Sequence, residues 1–286
     1  MRTRAAVSHW HLTLSGLLTG GTRSVVYGAT DPAGRDLVLK ITETRAGTRT
    51  AAAAEAAALT AWQSTGAVVR LVDATEDALL LVRARPGTLM GWSPDLPVDE
   101  LVEVAAELLG RIWAVRPGEY PYPTLAEVHP EDDRIAREDA EFEQRVRGEP
   151  DRGVPGLLRL PAARRAAEEL IRSTATTKLL HGDFITKNLV ADDTSPVGWT
   201  ALDPLPMIGD PAAEVAAFAA YQPAARILPI AEALAACAGV DVGRALRWTA
   251  IKVAHQAAQA WRDDQSELDQ LVGSPAISTL LVASRA

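Results

Sequence analysis

The spacing of apolar residues changes once along this chain, and that change constrains its fold more than any other feature. Before residue 84 short runs alternate or are continuously apolar between turns; from Val98 onward apolar residues recur at three and four. Trp10, Leu12 and Leu14 alternate with His11, Thr13 and Ser15. Gly20-Gly21 interrupts, and Ser24–Tyr27 resumes. Asp31-Pro32-Ala33-Gly34 is a turn, and Asp36–Ile41 returns as a third strand. Ala51–Trp62 is nearly all helix former, with Glu55 its one charge. Val68–Val72 and Ala78–Val82 are two more strands, turning at Thr75-Glu76-Asp77. The order β-β-β-α-β-β predicts a small antiparallel sheet with one helix over residues 1–84. Proline and glycine in Arg83-Ala84-Arg85-Pro86-Gly87 stop it.

Residues 85–286 read as a larger, mostly helical lobe, so the fold class is α+β with two lobes. Val98, Leu101, Val102, Ala105, Leu108, Leu109 and Ile112 make one apolar helical stripe. Leu125–Arg147 reads as a charged surface helix and Pro161–Ser173 as another. Leu179-Leu180, Leu189-Val190 and Trp199–Leu202 are short strand-like runs within a loop-rich stretch. Helices then continue from Pro211, with breaks near Pro223, Gly239 and Ser274-Pro275. The lobes should meet at the connector near residue 84, where a cleft would take a small ligand.

Composition removes several classes. Acids outnumber bases 37 to 29, a net charge of −8, so a nucleic-acid partner is not expected. Cys237 is the one cysteine, which excludes an internal disulfide framework or a CxxC metal site. No run approaches the roughly 18 apolar residues of a spanning helix, and no apolar run long enough for a signal peptide follows the basic start. The expectation is a cytoplasmic chain with neither a membrane nor an obligate protein partner.

The most informative string is His181-Gly182-Asp183-Phe184-Ile185-Thr186-Lys187-Asn188. Asp183 and Asn188 in one loop can converge. The carboxylate can orient a hydroxyl and accept its proton, and the amide oxygen can bind a hard cation. Asp203, after the strand-like Trp199–Leu202, can supply a second oxygen. Alone, this is equally an Asp-rich loop closed by its own turn bonds. Lys40 decides between them. It interrupts the apolar strand Val38-Leu39-Lys40-Ile41 in a chain with only three other lysines, Lys178, Lys187 and Lys252. A buried strand lysine needs a counter-ion, and Glu55 stands on the following helix. A strand lysine paired with a helix glutamate is how kinases hold a triphosphate clamp.

With these residues in this order the chain resembles the aminoglycoside phosphotransferase family, which has a protein-kinase-like fold. The resemblance rests on His181-Gly182-Asp183, Asn188, Asp203 and Gly209-Asp210-Pro211. The string Asp203–Pro211, and Val69–Asp73 leading into Leu79–Arg83, are similar to the streptomycin 6-kinase and hydroxyurea phosphotransferase branch. The resemblance implies that ATP and Mg²⁺ are used. Lys40 would bind the α- and β-phosphates with Glu55 orienting it, and Asp183 would be the catalytic base. Asn188 and Asp203 would bind the metal, and the backbone at Arg83, Ala84 and Arg85 would receive adenine. Asp210 would be structural, and His181 either orients the loop or is simply core.

Some positions depart from the family. Gly20-Gly21-Thr22-Arg23-Ser24 matches neither GxGxxG nor a Walker motif. It is either a phosphate loop, with Ser24 or Thr22 as a further donor, or a glycine-rich hairpin turn. Ile185 stands where many relatives carry a basic residue or histidine, and Lys187 is either its substitute or a solvated loop lysine. The acceptor would be a hydroxyl-bearing small molecule, with an aminoglycoside antibiotic leading. Carboxylate candidates for a cationic acceptor are Glu131-Asp132-Asp133, Asp263-Asp264 with Glu267, and Glu214. Charge runs of this kind are more often solvated helix faces. The stripe Ile251, His255 and Ala258 reads as core, and Trp92 is either a stacking candidate or simply packed. A sugar, amino-alcohol or hydroxyurea-like acceptor fits the same residues. A pseudokinase interaction module would require lost catalytic positions, and Lys40, Asp183, Asn188 and Asp203 are all present.

Overall fold

The computed structural model describes residues 2–18, 24–42, 51–92, 96–128, 160–263 and 265–284. In chain order it begins with α1 (Arg2–His9), β1 (Thr13–Leu17), β2 (Ser24–Thr30), β3 (Asp36–Thr42) and α2 (Ala51–Trp62). Next come β4 (Leu71–Ala74), β5 (Ala78–Val82), β6 (Pro86–Leu89), α3 (Val98–Trp113) and α4 (Leu125–Val128). Then follow α5 (Leu160–Arg172), β7 (Lys178–Leu180), β8 (Leu189–Asp192), β9 (Trp199–Ala201) and β10 (Met207–Gly209). The chain ends in α6 (Pro211–Ala220), α7 (Ala224–Cys237), α8 (Val242–Asp263), α9 (Gln265–Gly273) and α10 (Pro275–Ala283). Two compact units result. One comprises Met1–Pro94, Leu108–Tyr122 and His181–Pro206; the other comprises Asp95–Glu107, Pro123–Leu180 and Met207–Ala286.

The first unit holds the expected sheet, in the order β1-β2-β3-β5-β4, all antiparallel. Directly paired residues project to the same side. Ala29, Leu37, Leu39, Ile41, Ala78 and Leu80 therefore share one face, which packs with Ala6 of α1 and Leu12. Val26 pairs with Lys40 and Gly28 with Val38, while Lys40 also pairs with Leu79 and Val38 with Leu81. These six form the opposite face, so the strand register alone sets Lys40 apart from the α1-covered core. A second antiparallel sheet in this unit has the order β6-β8-β9.

Three details differ from the sequence reading. The strand expected from Trp10 begins at Thr13, because α1 precedes it and His11 turns the chain at φ 52°. Pro86-Gly87 does not simply end the sheet region; Pro86 starts β6, at the strand-initial position where a missing N–H is tolerated. Val68 lies outside β4 and instead makes a bridge to Ala201. Of the surface helix expected over Leu125–Arg147, only α4 falls within the described residues.

In the second unit β7 and β10 pair antiparallel, and α8 packs against α5, α6, α7, α9 and α10. Asp210 organises this packing. Its Oδ1 accepts from the Ala212 N–H at 3.0 Å, capping α6, and Oδ2 accepts from Arg244 Nε at 2.6 Å and Trp248 Nε1 at 2.7 Å. Arg244 also donates to Ser173, Thr174 and the Leu170 carbonyl at the end of α5. The structural part expected of Asp210 is thus a junction of three helices. Arg244→Ala strands a carboxylate whose side chain is 4% exposed. The expected loss is about 3 kcal/mol in urea unfolding, the low end for a buried pair because Trp248 still donates.

Candidate active site

The chemistry-bearing residues gather within the first unit. Lys40 is 5% exposed and Glu55 3%. Lys40 Nζ donates to Glu55 Oε1 and Oε2, both at 2.7 Å, and to Asp203 Oδ1 at 3.0 Å. The alanines surrounding Glu55 in α2 leave its carboxylate no nearer polar partner in the helix, so it turns to the sheet. Burial alone would lower the Lys40 pKa, but the Glu55 and Asp203 carboxylates outweigh it and hold the ammonium above the ordinary lysine value. Burial pushes the Glu55 carboxyl up to about 7, against the pull of Lys40.

Asp203 adopts φ 56°, a left-handed conformation rare outside glycine but open to a short polar side chain. Its neighbours fix it there. The Leu202 N–H donates to the Asn188 carbonyl at 2.9 Å, and the Leu205 N–H to the His181 carbonyl at 2.8 Å. Both bonds tie Asp203 to the 181–188 loop. Backbone strain held by surrounding bonds is characteristic of functional positions.

Within that loop Gly182 takes φ 80°, and Thr186–Asn188 form a 3₁₀ turn. Asn188 Nδ2 donates to the Asp183 carbonyl at 2.8 Å and to Asp183 Oδ2 at 2.7 Å. Both amide hydrogens are spent there, so Oδ1 is the atom Asn188 can offer a cation. Lys187 Nζ lies 3.9 Å from Asp183 Oδ2. Phe184 and Ile185 are buried, so position 185 is a packing position and Lys187 is the cation beside Asp183.

His181 is core. Its ring stacks on Trp62 at 6.2 Å and meets Phe184 edge-on at 5.8 Å. It is fully buried, and neither ring nitrogen reaches a hydrogen-bond partner among the described residues. Burial holds its pKa down to about 4, against the Asp203 carboxylate. The unfolded chain therefore binds a proton below pH 6.5 that the folded chain refuses until about pH 4. Stability is lost as pH falls through that window, by about 3 kcal/mol. Glu55 contributes the opposite trend in both proteins, so the increment is read as a difference: the unfolding free energy of the wild type minus that of His181→Gln should fall by about 3 kcal/mol between pH 7 and pH 4 in urea.

Other expected positions are placed as follows. Ser24 opens β2 opposite Thr42, while Gly20–Arg23 lie outside the described residues. The Arg83 N–H donates to the Asp36 carbonyl at 3.3 Å, and the Arg85 carbonyl accepts from the Asp193 N–H at 2.7 Å. Ala84 between them keeps both backbone groups unspent among the described residues. Glu131-Asp132-Asp133, Asp264 and the side chains of Asp263 and Trp92 lie outside the described residues. Glu214 is buried in α6 and Glu267 is exposed on α9. Ile251 and Ala258 are core, as expected of their stripe, but His255 is exposed. Sequence reasoning missed Arg244 and Trp248 as the partners of Asp210, and Asp36 as the anchor of the connector.

A family model described as aminoglycoside/hydroxyurea antibiotic resistance kinase matches residues 9–265. The chain is 28% identical over 283 residues to a hydroxyurea phosphotransferase of Kitasatospora aureofaciens, covering 93% of this chain and 74% of that protein. A choline/ethanolamine kinase family protein from Mesorhizobium loti superposes with TM-score 0.62 at 13% identity, over 100% of this chain and 99% of that one. A macrolide 2′-phosphotransferase from Brachybacterium faecium does so with TM-score 0.56 at 15% identity, over 99% and 96%. The two solved structures share the kinase-like fold of this chain, and the chain is a phosphotransferase that belongs to the aminoglycoside/hydroxyurea antibiotic resistance kinase family.

Proposed function

We propose that this enzyme transfers the terminal phosphoryl group of ATP, with Mg²⁺, to a hydroxyl of an aminoglycoside antibiotic of the streptomycin type, and so inactivates it in the cytoplasm. The observation that carries the reading is the buried Lys40–Glu55 pair with half-buried Asp203 bonded to it, joined through Leu202 to the loop of Asp183 and Asn188. Lys40, held by Glu55, presents a fixed ammonium to the α- and β-phosphates. Asp183 Oδ holds the acceptor hydroxyl in line and takes its proton. Lys187 places a second positive charge beside it. Ser24 and the backbone at Arg83–Arg85 take the rest of the nucleotide.

The donor set suits magnesium. Asp203 and Asn188 Oδ1 are hard oxygen donors, and Mg²⁺ binds through one or two protein oxygens with phosphates and waters completing its shell. Bound there, the ion withdraws charge from the phosphates. The acceptor class is supported by the net charge of −8, which attracts a cationic antibiotic. A second reading, hydroxyurea as acceptor, is favoured by the Kitasatospora relative.

Coupled ADP release with streptomycin, other aminoglycosides, hydroxyurea, simple sugars and amino alcohols tests both. The expected result is the highest kcat/KM for a streptomycin-type compound. A preference for hydroxyurea selects the second reading, and a preference for a sugar or amino alcohol overturns both.

A further inference from the structure

Arg83 extends the sheet face that carries Lys40. Leu79, which pairs with Lys40, is followed on that face by Leu81 and then by Arg83 just past the end of β5. Four extended residues at ~3.3 Å each put Arg83 roughly 13 Å along the face from Lys40. That is the reach of a nucleoside from its phosphates to its base.

The site is built around this side chain. Gly28 of β2 has no Cβ, and Ser15 Oγ and the Arg83 guanidinium share the space this leaves: a Cβ there would collide with Ser15 Oγ and lie 3.0 Å from Arg83 Nη1. The Arg83 N–H is pinned to the Asp36 carbonyl at 3.3 Å. Asp36 Oδ2 is taken by Arg85, whose Nε donates at 2.7 Å, while Oδ1 stands 3.6 Å from Arg83 Nη1. That distance neutralises the guanidinium without using its donors. Among the described residues the side chain makes no hydrogen bond, and it remains 26% exposed. Next to it are the unspent N–H and C=O of Ala84.

A guanidinium has five donors and no acceptor. The exocyclic amine of adenine is also a donor and opposes it, whereas O6 and N7 of guanine are paired acceptors that match its fork. We propose that Arg83 selects the purine base, favouring the 6-oxo purine, so that GTP is a phosphoryl donor alongside ATP. The inference rests on the nucleotide site proposed above.

Calorimetric titration of the wild type with Mg·ATP and Mg·GTP, without acceptor, is the test. The expected result is tighter binding of GTP, with the GTP/ATP affinity ratio falling about tenfold in Arg83→Met. Arg83→Lys, which keeps the charge but loses the fork, should fall most of the way. Because each ratio comes from one protein sample, a general loss of stability does not move it. An unchanged ratio in Arg83→Met overturns the inference, as does a wild type that binds ATP and not GTP; in both cases the nucleotide site stands. Binding of neither nucleotide overturns the site and the inference together.

Discussion

Asp183→Asn should lower kcat by about 10²–10⁴-fold while leaving the dissociation constant of Mg·ATP unchanged. Asparagine preserves the shape of the residue and keeps an oxygen to accept from Asn188 Nδ2, now 2.7 Å from Asp183 Oδ2. What it loses is the ability to take up a proton. Lys40, Glu55 and Asp203 make no hydrogen bond to the Asp183 side chain, so the phosphate-facing cluster should survive. Single-turnover transfer to the acceptor found by ADP release, beside calorimetric nucleotide binding, reads the two effects separately. Full activity in the variant removes Asp183 from the chemistry.

Lys40→Met should abolish measurable nucleotide binding and change how stability depends on pH. Methionine approximates the volume of the lysine stem but removes the ammonium from between Glu55 and Asp203. Breaking a buried pair costs about 3–5 kcal/mol because one charge is left without a partner. Glu55 bears most of that loss, since its side chain is 5% exposed against 37% for that of Asp203. With Lys40 present the Glu55 carboxyl already stands at about 7, above 4.5. Removing its one lowering neighbour raises it further.

The sign follows from proton counting. Above pH 4.5 the unfolded chain releases the Glu55 proton while the folded variant retains it, so unfolding free energy falls as pH rises toward the folded pKa. Relative to wild type, the variant should be least impaired near pH 4.5 and most impaired near pH 8. Urea midpoints across that range check this, and taking the difference cancels the opposite trend from His181. A pH-independent difference would mean Glu55 is not a buried carboxylate.

What was legible in the sequence was what broke its own surroundings. Lys40 stood out in an apolar strand and Glu55 in an alanine helix, and they pair as that contrast demanded. Asp203 was marked by the strand before it, but its left-handed backbone was not, since the bonds from Leu202 and Leu205 depend on the folded loop. Strands β6 and β10, of four and three residues, are too short to show a period; pairing with β8 and β7 creates them. Arg244 and Trp248 lie 34 and 38 residues from Asp210, with no local pattern to announce the contact. The connector motif points to the Arg83 backbone, whereas its side chain shares the space beside Gly28 with Ser15 Oγ, a contact across strands that no local pattern announces.

The first unit is sewn from distant stretches. The Ala201 N–H donates to the Ala67 carbonyl, the Val69 N–H to the Ala201 carbonyl, and Pro86 pairs with Asp192. During synthesis the meander therefore emerges long before the strands that finish its unit, and more than a hundred residues must leave the ribosome first. Contacts so far apart in the chain close slowly. A nascent chain halted before Trp199 should thus remain open to proteases at Ala67–Val69, whatever has already formed downstream.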